Sequence, residues 1–118
     1  MGQYFLVVNT TKREFLHPHK FGDGFKLMEF GCSSLGTMTA LALLLRQSSE
    51  TGGGDWTPEH YGGENELVGS WVGDSLVAVG DYDESGLFDT ALNDYRDISS
   101  RIFDAFKVER VEDEKIQA

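Results

Sequence analysis

Cysteine is nearly absent from this chain, proline is scarce, and acids outnumber bases two to one. One cysteine and two prolines occur in 118 residues, with ten lysines and arginines against twenty aspartates and glutamates. The lone Cys32 excludes an intramolecular disulfide framework and fits a reducing compartment. The longest apolar run, Ala40 to Leu45, is far too short to span a bilayer. Gln3 and Tyr4 interrupt any signal-peptide pattern and no small-residue cleavage site follows. Met1-Gly2 lacks the Ser or Thr of a myristoylation motif, since Leu6 stands there. The expectation is a soluble, cytoplasmic protein. There is no internal repeat and no heptad run, and forty per cent apolar residues suit a globular domain with a core of its own.

The shortage of bases is uneven. Residues 1–49 hold Glu14, Asp23 and Glu29 against Lys12, Arg13, Lys20, Lys26 and Arg46; the other seventeen acids and five bases fall in residues 50–118. A net charge of −10 argues against direct binding to nucleic acid or an anionic membrane. Solubility explains such acidity, as does a high-salt habitat; the more specific reading is a partner with a basic face.

The apolar pattern predicts an α+β domain over residues 1–111, with 112–118 as a frayed acidic tail. Tyr4 to Asn9 reads as a first strand and Glu14 to His17 as a returning second, stopped by Pro18. Phe25 to Phe30 alternates, which favours a short strand or extended segment, although Leu27, Met28 and Glu29 would tolerate a helix. Leu35 to Gln47 is the clearest helix. It has Met38, Leu41 and Leu45 on one face, Leu43 and Leu44 widening the stripe, and Ser33 or Ser34 as N-cap. Residues 48–66 form a glycine-rich loop carrying Trp56 and Tyr61. Leu67 to Asp83 reads as two strands hinged at Gly73-Asp74, with Trp71 and Val77 or Val79 facing inward. Leu87 to Tyr95 predicts a short helix begun by Asp89 or Thr90, and Asp97 caps a last helix over about 98–111. Together these give an antiparallel sheet of about five strands in two hairpin-like units. Helices cover one face and the other is left partly wet.

The blocks MGQYFLVVN, HPHKFGDG, KLMEFG, GGGDW, GSWVGD, VGDY and YRDIS, running in order from Met1 to about Phe106, resemble a family of small proteins from bacteria, their phages and some fungi. The resemblance implies one intact domain, in a family some of whose members are phage-associated. It carries over no activity and no site residues.

The candidate site residues are His17, His19, Asp23, Asp55, Trp56, Asp74, Asp81 and Asp83. His17-Pro18-His19 with Asp23 offers imidazoles and a carboxylate to a metal. Both histidines reach one ion only if Pro18 kinks the chain, because alternate residues of an extended segment point apart. Asp55, Asp74, Asp81 and Asp83 could converge at a sheet end and hold Mg²⁺ or Ca²⁺, although Gly-Asp is also ordinary turn chemistry. No zinc-motif spacing, EF-hand or P-loop is present; Gly52-Gly53-Gly54-Asp55 lacks the Lys-Ser/Thr that follows a phosphate cradle. Cys32 reads as a buried packing residue rather than a nucleophile. Trp56 and Trp71, if exposed together, would mark an interface.

No cofactor is therefore expected, with a divalent metal as the alternative. The leading expectation is a non-enzymatic interaction or regulatory protein that binds a basic macromolecular partner through its acidic C-terminal half. The rival is a small metal-assisted enzyme using a His/Asp or Asp cluster. A dimer through a free sheet edge is a further possibility.

Overall fold

The computed structural model describes residues 2–32, 35–48 and 65–105. The domain is α+β, built on a four-stranded mixed sheet of order β3-β1-β2-β4. Strands β1 (Phe5–Asn9), β2 (Glu14–Leu16) and β3 (Leu76–Gly80) pair antiparallel, whereas β4 (Arg96–Asp97) runs parallel to β2. β1 and β2 fall where the aromatic and β-branched runs place them. In the turn between them Arg13 takes a left-handed backbone (φ 57°), and Asn9 Oδ1 accepts from Lys12 N at 2.8 Å.

Several sequence expectations are corrected here. Phe25 to Phe30 is not a strand. A helical turn, α1 (Leu27–Phe30), forms there because Glu29 Oε1 accepts from Lys26 N and Phe30 N bonds Lys26 O. Only Phe25 keeps a strand-like link, its carbonyl accepting from Phe5 N.

Leu67 to Asp83 is not a hairpin. Residues 66–73 form successive turns, and only Leu76–Gly80 is a strand, paired with β1. The amides of the turn segment are spent elsewhere. Gly69 N and Trp71 N bond the carbonyls of Leu43 and Leu44, at 2.8 and 2.9 Å, at the end of helix α2 (Thr37–Leu44). Leu43 O also accepts from Arg46 N at 3.3 Å, but neither carbonyl has a partner within Thr37–Leu44, so the turn segment helps cap the helix. Gly69 makes this approach with φ +81°, and a Cβ there would meet Arg46 O at 2.7 Å.

The sheet is covered on both faces, not one. On the first, Val7 and Leu16 pack with Phe21, Phe30, α2, Trp71 and a C-terminal helix α4, helical from 99 to the last described residue, 105. On the second, Leu6, Val8, Phe15 and Val79 pack with Ala91 of α3 (Leu87–Asp94), flanked by Phe25, Phe88 and Tyr95. Period-two alternation in β1 thus feeds two cores. The inward side of α2 also differs from the expected stripe: Ala40, Leu43 and Leu44 are buried, while Met38 and Leu45 are exposed. An almost wholly apolar helix carries no periodic signal to say which side faces in.

Ile98 and Ile102 are fully buried, as expected of the last helix, and Asp97 Oδ1 accepts from Ser99 N at 2.9 Å. α3 begins at Leu87, ahead of the expected Asp89 or Thr90. No helix among the described residues is long and apolar enough to cross a membrane. The expected Ser33/Ser34 cap, the 49–64 portion of the glycine-rich loop and the 112–118 tail lie outside the described residues.

Candidate functional site

Pro18 does bend the chain. It opens a 3-10 turn, Pro18–Phe21, which turns the rings of His17 and His19 to the same side, 5.9 Å apart between centroids. Phe25 lies against both, at 4.7 Å from His17 and 3.9 Å from His19. The His17 backbone N–H donates to Ser99 Oγ at 2.7 Å, tying this turn to the start of α4. Beside it, Lys20 Nζ and Asp97 Oδ2 form an ion pair at 2.7 Å.

Burial holds the His17 imidazole below its ordinary pKa against the opposing pull of Asp97; His19 and Lys20 add to the lowering. Its Nδ1 is buried and has no hydrogen-bond partner among the described residues. Asp97 is held below the usual carboxylate range. Burial alone would raise it, but Lys20 and the Ser99 hydroxyl and amide outweigh that.

Asp23, the expected third ligand, points elsewhere. Its Oδ2 accepts from both Thr37 N and Thr37 Oγ1 at 2.7 Å, capping α2 where Gly36 has no side chain to do so. A Cβ at Gly36 would meet Asp23 Oδ2 at 2.5 Å and displace the capping carboxylate. Among the described residues, no three His, Cys, Asp or Glu side chains come together as a ligand set.

The aspartates of residues 74–83 do not gather either. Asp74 accepts from Asn9 Nδ2 at 2.8 Å and pairs with Lys12, and these two bonds, Lys12 first, lower its pKa. Asp81 lies beyond the opposite end of β3, where Oδ1 accepts from Tyr4 N. Asp83 accepts from Ser85 N at 2.8 Å, and Ser85 lowers its pKa. Asp83 thus makes a local Asx turn, while Asp74 and Asp81 hold distant residues at the two ends of β1. Asp55 and Trp56 lie outside the described residues. Trp71 is fully buried, so it marks no interface. Cys32 is exposed rather than packed, and α2 begins five positions beyond it, too far for its dipole to act on the thiol.

Two features escaped the sequence reading. Asp97, which pairs with Lys20, and Ser99 join the histidine turn only through the fold, from positions about eighty residues away, and no local spacing announces them. The second feature is a surface. Between Ser75 and Tyr95 there are five acids, Asp81, Asp83, Glu84, Asp89 and Asp94, all exposed, and no lysine or arginine. Searches of family models, curated proteins and solved structures return no match to this chain.

Proposed function

We propose that this is a non-enzymatic interaction protein that binds a macromolecular partner with a basic surface through its acidic C-terminal half. One observation carries the reading. The acids of 81–94 stand exposed on one stretch without an intervening base, and among the described residues only Asp81 and Asp83 of the five accept a hydrogen bond from the chain's own backbone. A run of unpaired negative charge raises the rate of encounter with a basic surface and selects against acidic ones. By contrast, the carboxylates first suspected as ligands, Asp23 and Asp74, are occupied in holding α2 and the turn after β1.

The test compares two variants of equal charge change against a lysine- and arginine-rich synthetic peptide at low and high salt. Glu84→Gln with Asp89→Asn should weaken binding, and salt should weaken it further as screening shortens. Leu27→Lys with Met28→Lys adds the same positive charge at exposed positions on α1, and should leave binding nearly intact. Equal losses in both would mean that bulk charge alone attracts the peptide, and the proposal would fall.

A further inference from the structure

The two edges of the sheet are unlike. β4 has two residues, both charged, so it offers little to a passing strand. β3 is the other edge, five residues long, LVAVG, with no charge and no proline, and it runs without a bulge beside β1. Thr10 N bonds Ser75 O, and Asp81 N bonds Tyr4 O. By the alternation of antiparallel pairing, residues 75, 77, 79 and 81 turn their peptide groups toward β1, whereas Leu76 and Ala78 turn theirs outward. Among the described residues, no partner meets the outward N–H or C=O of Leu76 or Ala78. Ala78 is exposed and Val77 is 41% exposed, so apolar side chains flank the open backbone. Natural edges are ordinarily blunted by charge, proline or a bulge, and this one is not.

Charge decides what would lie there. At one end of β3, Asp74 is engaged by Lys12 and Asn9. Just past the other end, Asp81, Asp83 and Glu84 are exposed. A second copy would bring another chain of net charge −10 against this one. Paired antiparallel about Ala78, it would also set its own Asp83 and Glu84 near Asp74. The Lys12–Asp74 pair there is neutral and offers those acids no free cation, so the like net charge of the two chains decides, and it is repulsive.

We infer that the Leu76–Gly80 edge accepts an extended segment of a partner protein as an added strand of the sheet. The segment is apolar along Leu76 to Val79 and carries lysine or arginine at the end that reaches Asp81, Asp83 and Glu84. This rests on the proposed acidic binding function and gives the partner's shape: a strand, recognised by main-chain bonds with a basic anchor.

The experiment uses the full chain and a synthetic peptide of alternating valine and threonine ending in lysines, with a glutamate-ended counterpart. On binding the lysine-ended peptide, amide hydrogen exchange at Leu76 and Ala78 slows about ten-fold or more, while Val77 and Val79, already bonded to β1, change little. The glutamate-ended peptide binds more weakly. Ala78→Pro removes an outward N–H that no strand of this sheet uses, and weakens binding about ten-fold. Should that variant fail to fold, N-methylation of alternate peptide residues gives the same loss on the wild-type protein. Binding that leaves exchange at Leu76 and Ala78 unchanged overturns the inference and spares the acidic surface. So does failure of this peptide where the lysine- and arginine-rich peptide of the preceding test binds. Failure of both peptides overturns the acidic surface as well.

Discussion

Trp71 donates its indole N–H to Glu14 Oε1 at 2.8 Å in the interior, joining residues 57 positions apart. Trp71 is fully buried and Glu14 nearly so, and the second Glu14 oxygen meets Arg96 Nη2 at 3.2 Å. A buried carboxylate is costly unless its lone pairs are used, and here the indole and the guanidinium use them. The bond also pins the 66–73 turns, which cap α2, to the second strand. Trp71→Phe removes both the donor and ring volume, and urea unfolding should show a loss of about 2–3 kcal/mol. Glu14→Gln keeps an acceptor for the indole and loses only an ion pair to an exposed arginine, so about 1 kcal/mol is expected. The reverse order would show that Arg96, not the indole, holds Glu14 in place.

Asp23 serves α2 rather than a metal. Asp23→Ala leaves Thr37 N without its acceptor and should cost about 1–2 kcal/mol, read from the denaturation midpoint. Asp23→Asn keeps an acceptor and should lose about half a kcal/mol or less. Mg²⁺, Mn²⁺, Zn²⁺ and Ca²⁺ should leave the melting temperature of the parent protein unchanged. A metal-dependent rise that Asp23→Asn abolishes would establish the ligand role instead.

What could be read in the sequence divides along the range of the interactions. β1, β2, α2 and the buried Ile98–Ile102 pair follow from local composition and periodicity, and their places were legible. Leu67 to Asp83 carried an equally strong local signal and misled. Its apolar run and Gly-Asp pairs suit a hairpin, but the competing demand came from the helix-end carbonyls of Leu43 and Leu44, far away in sequence. The same holds for the site residues. Pro18 as a kink could be foreseen, and the histidine rings do come together. Asp23 could not be assigned, because its partner Thr37 is fourteen positions on and the reason it caps α2 is that Gly36 cannot. That β3 is an open edge depends on strand order, which no single stretch encodes.

The histidine turn should make stability sensitive to mild acid. His17 has its folded-state pKa below the ordinary value, so between that depressed value and about 6.5 the unfolded chain binds more protons than the folded one. Its stabilising contribution is full above about pH 6.5 and is lost as pH falls through the folded value. Asp97, also depressed, adds a second loss of the same sign at lower pH, in the carboxylate range. Melting temperature against pH should therefore fall in two stages on acidification. His17→Gln should remove the upper stage and leave the lower. Persistence of the upper stage in that variant would show that His17 does not carry it.

The two valines of β3 test the register directly. Both point to the face that carries α3, but Val79 is buried with Leu6, Val8 and Phe15, while Val77 lies 41% exposed. A carboxylate at position 79 would be buried with no cation among the residues that pack there, so Val79→Asp should unfold the domain, at a cost of several kcal/mol. At position 77 the same carboxylate can reach water, and Val77→Asp should fold with a loss of about 1 kcal/mol or less, by circular dichroism and urea midpoint. The charge would also stand on the open edge beside Ala78, which is one of the ways natural sheets close such an edge to further strands. Val77→Asp should thus repel a docked strand while leaving the fold intact. An unfolded Val77→Asp alongside a folded Val79→Asp would mean that β3 is paired two residues out of the register seen here, since a one-residue slip would turn both valines to the other face.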